Sequence, residues 1–106
     1  MEYTYVKVEV LLPEDNIIKM RDSLNKMGVL TIGNYDNVIS YSHVKGFWRP
    51  LTGAAPFDGS VNQISFGAEC KMEFRCSYED IKEVKNTIRQ VHPYEEPVIN
   101  VLPLID

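Results

Sequence analysis

The sequence predicts an α+β fold in which two helices cover one face of a four-stranded antiparallel sheet. Two observations support this prediction. First, a strand pattern is followed by a helix pattern and then by a second extended stretch. Second, the same succession returns 64 positions later. Strict alternation of apolar and charged residues is typical of a half-buried strand. Apolar residues at three- and four-residue steps are typical of a helix packed on a sheet. The order βαββαβ is the ferredoxin-like plan.

The first and third predicted strands show the alternation most clearly. In "TYVKVEVLL" (residues 4–12) and "ECKMEFRC" (residues 69–76), every second residue is apolar and the residues between are mostly charged. The predicted core positions are Val6, Val8, Val10, Leu12, Cys70, Met72, Phe74 and Cys76. At roughly 3.3 Å per residue the two cysteines lie about 20 Å apart, so we expect buried, reduced thiols.

An apolar helical stripe follows each of these strands, with matching positions in the two halves. The stripes consist of Ile17, Met20, Leu24 and Met27, and of Ile81, Val84, Ile88 and Val91. We expect Asp15 or Asn16 to cap the first helix. Ser77 with Asp80 resembles a capping box for the second helix.

The ends of the helices and the remaining strands follow from glycine and proline positions. Gly28 is expected to end the first helix, and Pro93 to end the second with His92 in an extended conformation. The second and fourth strands are then predicted within "NVISYSHV" (residues 37–44) and "PVINVLPLI" (residues 97–105).

A long segment, residues 45–69, joins the two halves and holds four of the six glycines and two of the six prolines. Its aromatic residues are Phe47, Trp48, Phe57 and Phe66. A structureless loop of this length is uncommon unless it is functional or docked. One interpretation is a hairpin that continues the second strand and then a flap over a core edge. The other, which we favour, is an inter-subunit contact anchored by Trp48 and Arg49, residue types enriched at interface hot spots.

Composition limits the classes of function. The 106 residues carry a net charge of -4, with lysines and arginines scattered among carboxylates, which argues against nucleic acid as a partner. No apolar run approaches the roughly 20 residues of a membrane span, and the first residues lack a signal-peptide pattern. We therefore expect one domain, residues 1–106, in the cytoplasm, with no membrane partner.

Three ordered blocks resemble a known family. The blocks are "TIGNY" (residues 31–35), "GFWRP" followed by "GAAPFDG" (residues 46–50 and 53–59), and "HPYEEP" (residues 92–97). Together they resemble the CutA-like domains of the PII-like superfamily. They are more similar still to the insert domain of the YqfO-type, Nif-three-like dinuclear-metal hexameric proteins, here as a free-standing domain.

The resemblance implies a homo-oligomer, with a trimer favoured, that packs through sheet edges and residues 45–69. CutA-like proteins are associated with divalent cations, copper especially, and PII-type trimers bind nucleotides between subunits. The glycines of residues 45–69 show no phosphate-loop spacing, and glycines in a long loop usually serve turns.

The proline-bracketed corner His92–Pro97 allows two interpretations. His92 and Glu95 can supply metal ligands, but one short loop does not complete a coordination sphere. Alternatively, the corner is structural. Pro93 and Pro97 stiffen it, and Tyr94 buries its ring while its hydroxyl forms a hydrogen bond with a partner group. We expect no catalytic residues, because no nucleophile motif is present. His43 is expected to be a strand-face residue near a turn.

These patterns predict a ligand site in a cleft between subunits. Arg49 is the expected anion or partner contact, Tyr35 and Tyr94 are walls, and His92 with Glu95 are polar or metal contacts. The full candidate set is Gly33, Asn34, Tyr35, Phe47, Trp48, Arg49, Pro50, His92, Pro93, Tyr94, Glu95 and Pro97.

The predicted function is a non-enzymatic oligomeric binding or regulatory module for a small molecule or anion. The resident cofactor is unknown, and a divalent metal is the candidate. Two alternatives stay open: a divalent-metal binding or tolerance protein similar to CutA, and a purely structural oligomerisation module.

Overall fold

Four strands and two helices follow one another in the predicted order in a computed structural model that describes residues 3–105. Short 3-10 turns at Glu14–Asn16 and Tyr78–Asp80 precede the helices. The elements are β1 (Tyr5–Leu12), α1 (Ile17–Lys26), β2 (Ser40–Trp48), β3 (Ser65–Ser77), α2 (Ile81–Val91) and β4 (Ile99–Pro103).

The four strands form one antiparallel sheet in the order β2-β3-β1-β4. Val6 lies opposite Cys76 and Leu12 opposite Cys70, so the apolar residues of β1 and β3 share one face. Both helices pack their apolar stripes on that face, since the buried side chains of strands and helices form one cluster. The predicted α+β ferredoxin-like fold is confirmed.

The core contains every position predicted on β1 and β3, together with the centres of both helical stripes. Val29 and Leu30, which follow α1, are also buried and were not predicted. The buried apolar residues are Val6, Val8, Val10, Leu12, Ile17, Met20, Leu24, Val29, Leu30, Cys70, Met72, Phe74, Cys76, Val84 and Ile88. Both thiols are free, as predicted.

The predicted side-chain caps of the helices are wrong. A capping side chain needs an extended main chain at its own residue. The 3-10 turns instead place Asn16 (φ -96°, ψ -5°) and Asp80 (φ -90°, ψ -2°) in helical geometry, and neither makes a side-chain cap bond. Ser77 is extended but its hydroxyl also caps no amide. The Asn16 N–H is satisfied by the Pro13 carbonyl at 3.0 Å instead.

The predicted helix ends are confirmed. Gly28 follows α1 with φ +80°, a left-handed conformation in which a side chain is unfavourable. α2 ends at Val91, and His92 is extended at φ -72° and ψ 134° because Pro93 disfavours a helical conformation before it.

The hairpin interpretation of residues 45–69 matches the structure. β2 continues to Trp48 and β3 begins at Ser65, where the two residues pair, so both strands extend beyond their predicted bounds. Residues 49–64 form the connecting flap. β2 begins at Ser40 rather than Asn37. Asn37 adopts φ +56°, and its N–H donates to the Asn25 side-chain oxygen at 2.9 Å rather than to a neighbouring strand.

Within residues 3–105, neither helix has the length and hydropathy needed to cross a membrane.

Candidate functional site

A cavity of about 720 Å³ opens at one end of the sheet, between the flap (residues 49–64) and the corner His92–Pro97 with the adjoining Val98. β1 ends here, β2 enters the flap here, and α2 turns into β4 here, because β1 and β2 run parallel and β3 and β4 run against them. The topology therefore brings three chain segments that are distant in sequence to the same end of the sheet.

The corner is held by His92, whose side chain is buried (8% exposed). Its Nδ1 accepts the Tyr94 N–H at 3.1 Å, so Nε2 carries the proton and donates to the Leu11 carbonyl at 2.6 Å. Burial lowers the pKa of His92, opposed by the Leu11 carbonyl and by Glu69. His92 is thus a neutral anchor between the corner and β1.

Tyr94 forms the next wall of the cavity. Its hydroxyl donates to the Glu69 carboxylate at 2.6 Å, and its ring lies 5.8 Å from that of Phe57 in the flap. Burial, followed by the bond to Glu69, raises the pKa of Tyr94. The neutral phenol therefore serves as a fixed donor that links the corner to β3.

The flap is docked on the body of the chain by two hydrogen bonds. The Ala55 N–H donates to the Glu95 carboxylate at 2.9 Å, and the Trp48 indole N–H donates to the Asp58 carbonyl at 3.1 Å. The indole also lies over Gly67, where a Cβ atom would come within 3.2 Å of the ring. The absence of a side chain at Gly67 lets the Trp48 ring approach β3 closely.

The cavity combines apolar walls with a negative charge. Its lining residues include four carboxylates, Asp58, Glu69, Glu95 and Glu96, and one guanidinium, that of Arg49. The apolar lining includes Leu11, Phe47, Trp48, Leu51, Phe57 and Val98. No histidine, cysteine, serine or lysine is among the lining residues.

The structure brings together half of the predicted site set. Phe47, Trp48, Arg49, Pro50, Tyr94 and Glu95 line the cavity. His92 lies beneath it, and Pro93 and Pro97 shape the corner without lining the cavity.

The predicted segment Gly33, Asn34 and Tyr35 is not at the cavity. It precedes β2, at the end of the sheet where β1 starts, and Tyr35 is 76% exposed there. None of these three residues lines the cavity, so this chain does not join the segment to the corner.

The predicted metal pair His92 and Glu95 does not form a ligand set in this geometry. Both ring nitrogens of His92 are engaged by main-chain groups, and the Glu95 carboxylate accepts the Ala55 N–H. A metal ligand needs a free lone pair on the imidazole. Metal binding by this pair stays a prediction that the hydrogen bonding disfavours.

Several cavity residues were missed by the sequence analysis as site residues. Leu51 and Val98 had apolar character as their only signal, whereas Phe57 also lies in a block that carried the family resemblance. Glu69 was predicted only as part of a charged strand face. Its role depends on Tyr94, which is 25 positions away.

Comparison with known proteins shows which class of fold this is. No family model matches the chain. Over 96% of its length it superposes on the periplasmic divalent cation tolerance protein CutA of Archaeoglobus fulgidus, with a TM-score of 0.73 and 14% identity, covering 85% of that chain. Over 96% it also superposes on Bacillus subtilis GlnK in complex with ATP, with a TM-score of 0.64 and 18% identity, covering 84% of that chain. The chain has the CutA- and PII-like ferredoxin fold.

Sequence relatives are more specific. The chain is 33% identical over 100 residues to the GTP cyclohydrolase 1 type 2 homolog of Staphylococcus epidermidis, and 31% identical to that of Staphylococcus aureus. These matches take in 94% of this chain but 27% of each relative. A Bacillus cereus protein related to NIF3 superposes on 98% of the chain with a TM-score of 0.83 and 26% identity, over 26% of that chain. The predicted resemblance to CutA-like, PII-like and Nif-three-like proteins is confirmed, and the chain spans about a quarter of the length of its curated relatives.

Proposed function

We propose that the chain is a non-enzymatic binding module whose cavity holds a small ligand with an apolar body and a cationic, hydrogen-bond-donating group. The observation that carries this proposal is the lining of the cavity: aromatic and aliphatic walls with four carboxylates against one guanidinium. A volume of about 720 Å³ also falls within the usual range for small-molecule sites.

The charge of the cavity lining favours a cationic ligand over the anion predicted from the sequence. Arg49 is the one cationic side chain among the lining residues, so a polyphosphate would meet more repulsion than attraction. ATP is bound in the Bacillus subtilis GlnK structure. Extending that ligand to this chain would require basic residues that the cavity lining does not contain.

Binding without catalysis is favoured by the same lining. The lining lacks histidine, cysteine, serine and lysine, so acid–base or nucleophilic chemistry there would fall to its carboxylates and to Tyr94. Two of the four carboxylates are already occupied: Glu69 accepts the Tyr94 hydroxyl and Glu95 accepts the Ala55 N–H. Asp58 and Glu96 are then the groups left to meet a ligand cation.

A thermal-shift panel tests the proposal, because a ligand that binds only the folded state raises the apparent stability. The panel pairs aromatic and aliphatic amines with their neutral and carboxylate analogues, and includes ATP and inorganic phosphate. We expect stabilisation by amines that is reduced in Glu96→Gln and Asp58→Asn and retained in Glu79→Gln, which alters an exposed carboxylate outside the cavity. Stabilisation by ATP or phosphate that depends on Arg49, with none by amines, would overturn it.

A second part of the proposal is self-association through the β2–β3 hairpin. The rings of Phe47 and Phe66 lie 4.8 Å apart near the hairpin end and are 74% and 60% exposed, and Ile64, two positions before Phe66, is 72% exposed. Clustered apolar exposure of this kind is typical of an interaction surface. We propose a homo-oligomer, with a trimer favoured by the resemblance described above.

Light scattering at micromolar concentration tests the assembly. We expect a mass of about three chains for the unaltered protein and a smaller mass for Phe66→Ser. The matched control is Ile18→Ser, which removes an apolar side chain that is 63% exposed on α1, away from the hairpin. A monomer without any substitution, or equal dissociation by both variants, contradicts this part of the proposal.

A further inference from the structure

Three metal-ligating side chains meet at a place separate from the cavity. Glu14 comes from the 3-10 turn before α1, His43 from β2 and Cys70 from β3. Each offers one ligand atom, and the three atoms all lie within 4.8 Å of one another. Among the residues that the structure describes, no other group of three such side chains converges in this way.

The strand register explains why these residues meet. His43 lies directly opposite Cys70 in the β2–β3 pair, so both side chains are on the face that carries the helices. Glu14 reaches this pair from the end of β1, where its carboxylate contacts the His43 Nε2 atom and lies 3.9 Å from the Cys70 sulfur. The convergence therefore depends on main-chain geometry as well as on side-chain rotamers.

We propose that Glu14, His43 and Cys70 form a binding site for a thiophilic divalent cation of the zinc class, with the fourth coordination position open to water. One imidazole, one thiolate and one carboxylate form a ligand set that suits Zn²⁺.

One of the spacings among the three ligand atoms is close to that around a tetrahedral ion. Zinc–ligand bonds of about 2.0–2.3 Å place neighbouring ligand atoms roughly 3.5 Å apart. The observed sulfur–oxygen distance of 3.9 Å lies close to this value. The Glu14 carboxylate and His43 Nε2 are in direct contact, so these two exposed side chains must separate by rotation about their χ angles to admit an ion between them.

The three ligands differ in their exposure to solvent. Cys70 is fully buried, whereas the side chains of His43 and Glu14 are 69% and 56% exposed. These two side chains lie between the thiol and solvent, and their rotation would open a path for an ion to the sulfur. To act as a ligand the thiol gives up its proton, which is released to water as the metal–sulfur bond forms.

The alternative role for these residues is an ion pair between Glu14 and His43 beside a buried core thiol. The two roles differ in one measurable respect, because only a metal site requires the Cys70 thiol to lose its proton and bond to a metal ion. None of the three residues lines the cavity, so this inference does not depend on the proposed ligand.

Titration of the untagged, chelator-treated full chain with Co²⁺, a zinc surrogate, tests the inference. We expect a near-ultraviolet thiolate-to-cobalt charge-transfer band that saturates at about one ion per chain and is abolished by competing Zn²⁺. Loss of groups that merely support a metal ligand costs 10–100-fold in affinity, so His43→Ala and Glu14→Gln are expected to weaken binding at least about 100-fold.

The chain supplies a matched control for the sulfur. Cys76 is the second buried cysteine, on the same strand and face as Cys70. Cys70→Ser is expected to lose the charge-transfer band and Cys76→Ser to retain it. Since Cys70→Ser alters the core, His43→Ala, which changes an exposed side chain, gives an independent readout. Absence of the band in the unaltered protein, its loss in Cys76→Ser alone, or unchanged affinity in His43→Ala would overturn the inference.

Discussion

The imidazole of His92 donates a hydrogen bond from Nε2 to the carbonyl oxygen of Leu11, 2.6 Å away, and so fastens the corner after α2 to the end of β1. Its other nitrogen accepts the Tyr94 N–H, which places the Tyr94 ring at the cavity wall. A histidine that sequence analysis singled out as a ligand is thus a buried connector between main-chain groups.

Replacement of this connector is expected to destabilise the fold. His92→Leu retains a buried apolar side chain but leaves the Leu11 carbonyl and the Tyr94 N–H without their partner. Unsatisfied buried polar groups of this kind lower the free energy of unfolding by about 1–3 kcal/mol. Urea denaturation is expected to show a lower midpoint with an unchanged slope. Gln90→Ala, an exposed change at the end of α2, is the control, and an equal midpoint in the two variants would contradict the prediction.

The pH dependence of stability is expected to carry the signature of His92. Burial lowers its pKa below the ordinary value of 6.5 in the folded state, so the unfolded chain binds a proton at a higher pH than the folded chain does. Stability from the neutral ring is therefore present above pH 6.5 and declines as the pH falls from there through the folded pKa. Urea midpoints measured across this range should fall less steeply for His92→Leu than for the unaltered protein. Parallel profiles would argue against a lowered pKa.

The bond between Tyr94 and Glu69 is expected to stabilise the cavity wall. Tyr94→Phe removes the hydroxyl that lies 2.6 Å from the carboxylate. We expect a loss of about 1–2 kcal/mol, since hydrogen bonds to charged groups exceed neutral ones. Tyr78→Phe removes an equivalent hydroxyl from a ring that is 59% exposed and should change little. In a double-mutant cycle with Glu69→Gln, additive losses would show that the two groups are not coupled.

The flap is expected to depend on the contact between Trp48 and Gly67. Gly67→Ala would place a Cβ atom 3.2 Å from the indole ring, so the ring must move by a few tenths of an ångström. Since Trp48 is the single tryptophan, its emission should shift, and amide hydrogen exchange across residues 49–64 should accelerate. Gly46→Ala is the matched control, because Gly46 pairs with Gly67 across the hairpin and a Cβ atom there meets nothing within 4 Å. Equal effects of the two substitutions would show that ring contact is not the cause.

Prediction from the sequence succeeded where the signal is local. Each strand or helix buries one face, so apolar residues recur with the period of that element. This holds for the alternation around Val8 and Met72 and for the helical stripes that contain Met20 and Ile88. Helix ends at glycine and proline are local for the same reason. The capping residues failed because a 3-10 turn, which the sequence pattern did not indicate, changed the main-chain geometry at Asn16 and Asp80.

The sequence by itself determined the fold, the core positions of the strands and helices, and the stiff corner after α2, because each follows from periodicity or from the fixed geometry of proline and glycine. Only the tertiary structure decided which functional groups share a site. Strand direction set the segment around Tyr35 at the opposite end of the sheet from Tyr94, and strand register put His43 beside Cys70, 27 positions away. Such contacts depend on pairing between segments that are distant in sequence, so the pattern within one segment does not predict them.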